Sequence, residues 1–422
     1  MIKENKNLLY IAYHYPPILG SSGVHRTLAF TRFLQEQGWQ TTVLTASLQA
    51  YDRWEEDQLK FIPKNIKVIR AFARNTAKQL SVKGKYFSWM ALPDNWQSWI
   101  VGGFFSGLKH IYQQRPNVIV STYPIASAHI IGYLLHKITK IPWVADFRDP
   151  MAQEDYPTDK RKKKIFEWIE KKAVKHCSNV ILTAPGAVDF YRNKFPNVAH
   201  DFWQLVPNGF DQEIFDSVSI CQTDNQANKK TDKITLLHSG VIYPSERDPS
   251  ALFSAISELK QQGQLSQDNF KLLLRATGHD QQYQDKLAAL AISDIVELAP
   301  PIAYKSALQE MLTVDGLLLL QADNCDFQIP AKAYEYIRAQ KPVLALTSVK
   351  GDTGKLLTSA GLSCITPLDD KVKIKMALIE FIQKLKNNDF IYLNEQEIFH
   401  YSRQYHAKTF EQLLKKIVFK KK

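Results

Sequence analysis

Long hydrophobic runs are missing from this chain of 422 residues. A membrane-spanning helix needs roughly 20 consecutive apolar residues, and the longest candidate, Trp99–Leu108, stops at Lys109 and His110. The chain opens with Lys3, Glu4 and Lys6, and its first apolar stretch, from Leu8, breaks at His14 and the Pro16-Pro17 pair. That reads as a first β-strand and not a secretory signal, so a cytoplasmic protein is expected. Cysteine is also scarce. The four present, Cys177, Cys221, Cys325 and Cys364, share no CxxC spacing, which argues against a disulfide framework or a zinc site. Eleven histidines include no HExxH and no i, i+4 pair, so no metal site is expected.

Negative charge is in deficit: 42 acidic residues face 54 lysines and arginines, a net charge of +12. Such an excess calls for an acidic partner, whether nucleic acid, anionic lipid or a phosphorylated small molecule. The basic residues are not interleaved with aromatics on any recognisable nucleic-acid-binding module, so nucleic acid is not the expected partner. Hydrophobic residues at 45% and charged residues at 23% are ordinary for a globular enzyme. The length exceeds what one hydrophobic core serves, so two domains are expected.

Short apolar runs alternate with helical stretches. In the first half, strands are read at 8–13, 41–45, 118–122 and 143–145, with helices at 24–37 and 125–139. A turn-rich segment, Val206-Pro207-Asn208-Gly209-Phe210-Asp211, separates a second series. There strands are read at 234–239, 270–276, 295–298, 316–321 and 343–346, with helices at 250–263, 281–290, 307–312 and 331–339. This rhythm is that of parallel βαβ units, and it predicts an α/β protein of two Rossmann-like domains, 1–205 and 206–393. Parallel sheets bind ligands beyond the carboxyl ends of their strands, so domains facing across a cleft are expected to place a site there.

Four segments at such strand ends carry chemistry. Tyr13–Arg26 follows a strand and opens a helix; Gly20 and Gly23 let the backbone approach a ligand, and the helix start suits a phosphate. In Pro142–Pro150 a strand ends in Asp146-Phe147-Arg148-Asp149, where an aspartate can take a proton from a hydroxyl and the arginine can orient it or set its pKa. An N-cap or a structural ion pair is the plainer alternative. His238–Pro249 places Arg247 in a loop where a cation can neutralise a diphosphate; a solvated arginine paired with Glu246 or Asp248 is the alternative. In Gln328–Leu346, Pro330 starts a helix with Lys332 in its first turn, an odd place for a cation unless an anion is also there. Glu335 follows one turn later, as a ribose ligand or as the partner of Lys332.

These segments, with Pro93–Trp99 and the turn at 206–211, resemble the retaining GT-B glycosyltransferases of family 4, the group 1 transferases, over most of the chain. The resemblance implies transfer of a hexosyl-type sugar from a nucleotide-diphosphate sugar to an acceptor hydroxyl, with retention by front-face attack and without metal or other cofactor. No DxD motif stands at a strand end, which agrees with metal-free transfer. By the same resemblance Gly20, Ser21, Ser22 and Gly23 contact the donor, and Arg247 and Lys332 hold its diphosphate. Glu335 is the second glutamate of the family's E-x7-E motif and binds ribose. Asp146 stands beside the reacting centre and orients or deprotonates the acceptor; Arg148 and Asp149 are read with it as catalytic, and His25 and Arg26 as acceptor-binding. The acceptor is a glycan or lipid-linked glycan of cell-surface polysaccharide synthesis, and residues 394–422 cross back to the first domain. Two positions depart from the pattern. The first glutamate of the motif falls at Phe327, with Asp323 and Asp326 nearby as acidic alternatives, and an arginine usual after the glycine at Gly240 is Val241.

The same residues leave two rivals, a GT-B nucleotide-sugar epimerase and a non-catalytic partner subunit that kept the fold. A basic amphipathic stretch, residues 158–177, repeats Ile165, Ile169 and Ala173 every four residues; it either rests on anionic lipid or packs on its own domain. With the apolar region 96–105 and the basic tail 415–422, it raises the expectation of peripheral association with the inner membrane leaflet.

Overall fold

The computed structural model describes residues 6–19, 22–83, 85–219 and 233–419. Among these, the chain divides into two compact units: Met1–Asn208 with Arg403–Lys422, and Gly209–Ser402.

Unit 1 holds β1 (Asn7–Ile11), β2 (Gln40–Ala46), β3 (Lys67–Ala71), β4 (Val118–Thr122), β5 (Trp143–Arg148), β6 (Asn179–Leu182) and β7 (Trp203–Leu205). They form one parallel sheet in the order β3-β2-β1-β4-β5-β6-β7. Its helices are α1 (Ser22–Glu36), α2 (Thr76–Gln79), α3 (Ser98–Gln113), α4 (Ser127–Thr139), α5 (Lys160–His176) and α6 (Pro185–Lys194). Unit 2 holds β8 (Ile234–Ser239), β9 (Phe270–Arg275), β10 (Val296–Ala299), β11 (Gly316–Leu320), β12 (Val343–Leu346) and β13 (Ile365–Thr366). They are parallel in the order β10-β9-β8-β11-β12-β13. Its helices are α7 (Gln212–Ser219), α8 (Ser250–Gln261), α9 (Asp280–Ala289), α10 (Tyr304–Thr313), α11 (Ala331–Ala339), α12 (Asp352–Ser359), α13 (Lys371–Asn387) and α14 (Glu395–Phe399). The last helix, α15 (Arg403–Val418), belongs to unit 1.

The central strands are continuous apolar runs because helices cover both faces of a parallel sheet; Gly-Leu-Leu-Leu-Leu of β11 is buried throughout. Each sheet reverses direction of winding at one point, between β1 and β4 in unit 1 and between β8 and β11 in unit 2. Ligands bind at such points. The sequence reading found these central strands and ended β5 too early, at residue 145; the strand runs to Arg148, so Asp146 and Arg148 belong to it. It passed over β3, β6 and β7, which are short or half-exposed.

The last helix is part of the first unit's core. Ala407, Phe410, Leu413 and Leu414 of α15 are buried in one cluster with Tyr10, Phe30 and Val120, and Glu411 accepts the Trp39 indole N–H at 3.1 Å. On the other side of that sheet, α3 and α4 approach closely at glycines. A methyl group at Gly103 would lie 2.6 Å from Ile131, and one at Gly132 would lie 2.6 Å from Nε1 of Trp143. That indole donates to Ser121 at 2.8 Å, and Ser121 in turn bonds Nδ1 of His129 at 2.8 Å, so Gly132 guards a buried polar chain. Gly132→Ala is expected to lower the stability of unit 1 by about 1–3 kcal/mol through overpacking. A urea midpoint equal to wild type would contradict this close approach.

Candidate functional site

In unit 2 the site is built around the end of β8. Gly240 adopts φ +119°, which favours glycine, and a side chain there would meet Lys332 Nζ at 3.2 Å. Lys332 stands in the first turn of α11 and reaches back to His238 at the end of β8. The tautomer of that histidine follows from its partners. Nδ1 faces the Leu318 carbonyl at 2.9 Å and must donate, so Nε2 carries the lone pair that accepts from Lys332 at 2.9 Å. Burial, then the charge of Lys332, drives the His238 pKa far down and keeps the ring neutral. Burial, then the charge of Arg247, pushes Lys332 well below the usual lysine range, against a smaller pull from Glu335. Arg247 is half-buried, donates to the Val241 carbonyl at 2.8 Å, and holds its guanidinium 5.5 Å from the Tyr243 ring. Two cations thus crowd one strand end with a neutral imidazole between the lysine and the core, an arrangement that an anion relieves. Glu335, one turn into α11, is buried and accepts the Tyr304 hydroxyl at 2.7 Å.

In unit 1 the site lies at the end of β5. Asp146 is 1% exposed and Arg26 of α1 is 2% exposed; they pair through two contacts of 3.3 Å. Thr122, its neighbour across the β4–β5 ladder, donates to Asp146 at 2.9 Å. Arg26 donates further to the carbonyls of Val206 at 3.0 Å and Pro207 at 2.8 Å. Two residues on, Arg148 adopts φ 65°, in the left-handed region that a non-glycine residue enters at a cost of order 1–3 kcal/mol. Thr183 fixes it there, donating to the Arg148 carbonyl from its backbone N–H at 2.8 Å and its hydroxyl at 2.9 Å. The arginine reaches the Tyr123 carbonyl at 3.1 Å. Burial raises the Asp149 pKa, with Arg148 pulling the other way. His14, just past β1, is pushed down to about 3 by burial and by the charge of Arg148.

The loop after Asp149 is anchored from behind. The Met151 N–H donates to the Tyr191 hydroxyl at 2.9 Å, and the Ala152 N–H donates to Glu170 at 3.0 Å. Tyr191 and Lys194 both donate to the same buried glutamate at 2.7 Å.

No protein family model matches the chain, and no curated protein matches it. Solved structures do. A sucrose-phosphate synthase from Thermosynechococcus elongatus aligns over 99% of this chain and 100% of its own, at 14% identity and a TM-score of 0.71. HepE of Anabaena, solved in complex with UDP, aligns over 97% and 99% at 12% identity and a TM-score of 0.66. WaaG, a glycosyltransferase involved in lipopolysaccharide biosynthesis, aligns over 98% of both chains at 13% identity and a TM-score of 0.59. A UDP-N-acetylglucosamine 2-epimerase aligns over 100% of this chain and 98% of its own, at 12% identity and a TM-score of 0.55. The fold is GT-B.

Within that GT-B fold, the structure gathers Arg247 and Lys332 about Gly240 in unit 2, with Glu335 on the helix that carries Lys332. It gathers Arg26, Asp146, Arg148 and Asp149 at the β5 end in unit 1. Gly20 and Ser21 lie outside the described residues; Ser22 opens α1, and Gly23 is buried in its first turn. His25 is half-buried on α1 and pushed down to about 3 by burial and then by Arg403. Phe327, where the motif's first glutamate would stand, is 43% exposed, and Asp326 behind it is raised by burial. Among the described residues, no group of three His, Cys, Asp or Glu could hold a metal ion. Sequence reasoning missed His238, although it precedes Gly240 in a quoted segment, and missed Tyr304 and Thr122, which lie far away in the chain. It also gave no role to Asp94, whose carboxylate accepts the Ser127 N–H at 2.8 Å and so caps the start of α4. Arg26→Met is expected to cost about 3–5 kcal/mol by leaving Asp146 buried without its partner, and the Arg26→Met/Asp146→Leu double variant is expected to recover most of that loss. A double-mutant cycle in urea with no coupling between the two positions would contradict the pair.

Proposed function

We propose that the chain is a glycosyltransferase of hexosyl type that moves a sugar from a nucleotide-diphosphate sugar to a hydroxyl of a glycan or lipid-linked glycan, with retention of configuration. One observation carries this reading: the paired cations Arg247 and Lys332 at the β8 end, with a buried carboxylate one turn along α11. Similarity in fold to HepE, which was solved with UDP, supports the nucleotide assignment. Arg247 and Lys332 take the diphosphate and absorb the charge that develops as it leaves, in the place a metal ion would otherwise fill. Glu335, steadied by Tyr304, accepts hydrogen bonds from ribose. On the acceptor side Asp149 and Arg148 meet the attacking hydroxyl, and Asp146 with Arg26 orients the β5 end beneath them. Family 4 is the grouping this assignment fits, with cell-surface polysaccharide synthesis as the setting and the cytoplasm, at the inner leaflet, as the place of work.

An epimerase acting on a nucleotide sugar is the second reading, since the same cations would serve it and a 2-epimerase shares the fold. Incubation of a UDP-sugar without acceptor distinguishes them: the proposal expects no isomerised product. A thermal-shift panel of UDP-, GDP- and ADP-sugars is expected to show stabilisation by at least one, and no stabilisation by any would favour a non-catalytic subunit. Arg247→Ala and Lys332→Ala are each expected to weaken that binding by roughly 10- to 100-fold, the loss of one charged hydrogen bond. An anion favours the charged form of Lys332, whose pKa is depressed without one. Binding is therefore expected to take up a proton at pH values above that depressed pKa, and affinity to fall as pH rises. Calorimetry in buffers of different ionisation heat reads the uptake, and Lys332→Met should abolish it.

A further inference from the structure

The basic helix α5 does not offer its apolar side to a membrane. Phe166, Ile169 and Ala173 are buried in unit 1, and Trp168, 41% exposed, lies edge-on to the Tyr133 ring at 5.9 Å. What α5 leaves open is its cationic start: Lys160, Arg161 and Lys164 are exposed. The uncovered apolar surface lies beside it, between α2 and α3. There Val82 is 76% exposed, Phe87 70% and Trp89 60%. The Phe87 and Trp89 rings stack on each other at 6.3 Å and 16° instead of turning into the core. Arg161 donates to the Ser88 hydroxyl at 3.2 Å, which makes the start of α5 and the aromatic pair one surface. Lys83 and Lys85 are exposed on the turn that leads into it, closed by paired backbone bonds between Val82 and Lys85.

Adjacent exposed aromatics on a soluble protein mark a surface that something covers. Its chemistry selects among occupants. A second copy of this chain would bring like charges face to face. An acidic soluble partner would answer the cations but leave projecting rings without an apolar partner. Aromatic rings at headgroup depth, flanked by lysine and arginine that reach lipid phosphates, satisfy both halves at once. We propose that the Phe87–Trp89 segment and the start of α5 dock unit 1 on an anionic bilayer. The inference is independent of the reaction assigned above.

The test is sedimentation of the full chain with vesicles of phosphatidylcholine alone and of phosphatidylcholine mixed with phosphatidylglycerol. Binding to the mixed vesicles, release by salt and little binding to the neutral ones are expected. Phe87→Ser/Trp89→Ser should weaken binding roughly tenfold or more. Arg161→Gln/Lys164→Gln should weaken it by about fivefold per charge. All four positions are exposed, so circular dichroism and melting temperature should match wild type. Equal binding to both vesicle types, no binding, or variants that bind as wild type would overturn the proposal. So would variants that change only the oligomeric state of the protein in the absence of lipid.

Discussion

A carboxylate taken out of water must have its charge answered, and Asp146 is answered by the guanidinium of Arg26 through two contacts of 3.3 Å. This pair joins three parts of unit 1 that are distant in the chain: the start of α1, the end of β5 and the carbonyls of Val206 and Pro207 that follow β7. Buried ion pairs are poor sources of net stability because desolvation offsets attraction. Their effect is on specificity, since any arrangement that separates the two leaves a bare charge inside. Here that constraint fixes where β5 ends, and so where Arg148 enters its left-handed turn and where Asp149 stands. Thr183 on one side and Glu170 with Tyr191 on the other hold the residues that follow.

Unit 2 solves a different problem. Its cations are placed where each makes the other unfavourable, and the electrostatic result is a lysine held well below its usual range beside a histidine held neutral. A structure selected for stability alone would not keep Lys332 in the first turn of a helix, against the positive dipole end. The arrangement becomes favourable when an anion arrives, and the geometry of the β8 end, with a glycine where a side chain would strike the ammonium, keeps that space open.

The same logic of unanswered charge applies to the surface. The pattern of α5 admits two readings, and packing chose between them: its aliphatic stripe closes against its own unit, with Lys160 and Lys164 exposed. The aromatic half of an amphipathic surface is then supplied by a different segment, Phe87 to Trp89, joined to α5 through Arg161. An amphipathic surface can thus be shared between two elements, neither of which shows it alone.

The sequence by itself determined the α/β class, the two-part organisation and most of the central strands, because a buried parallel strand is a short apolar run and its period can be read directly. It also singled out Asp146, Arg148, Arg247, Lys332 and Glu335 as candidates, because motifs at strand ends are contiguous in the chain. What it could not decide is which of these residues meet and in what state. Arg26 and Asp146 are 120 positions apart, and His238 and Lys332 are 94 apart. Only the closing of each sheet brings them together; there the Leu318 carbonyl and Lys332 fix the tautomer of His238, and burial with Arg247 depresses Lys332. The short strands were hidden, and the two readings of α5 left open, for the same reason: local pattern sets what a segment can bury, and its tertiary neighbours decide what it does bury.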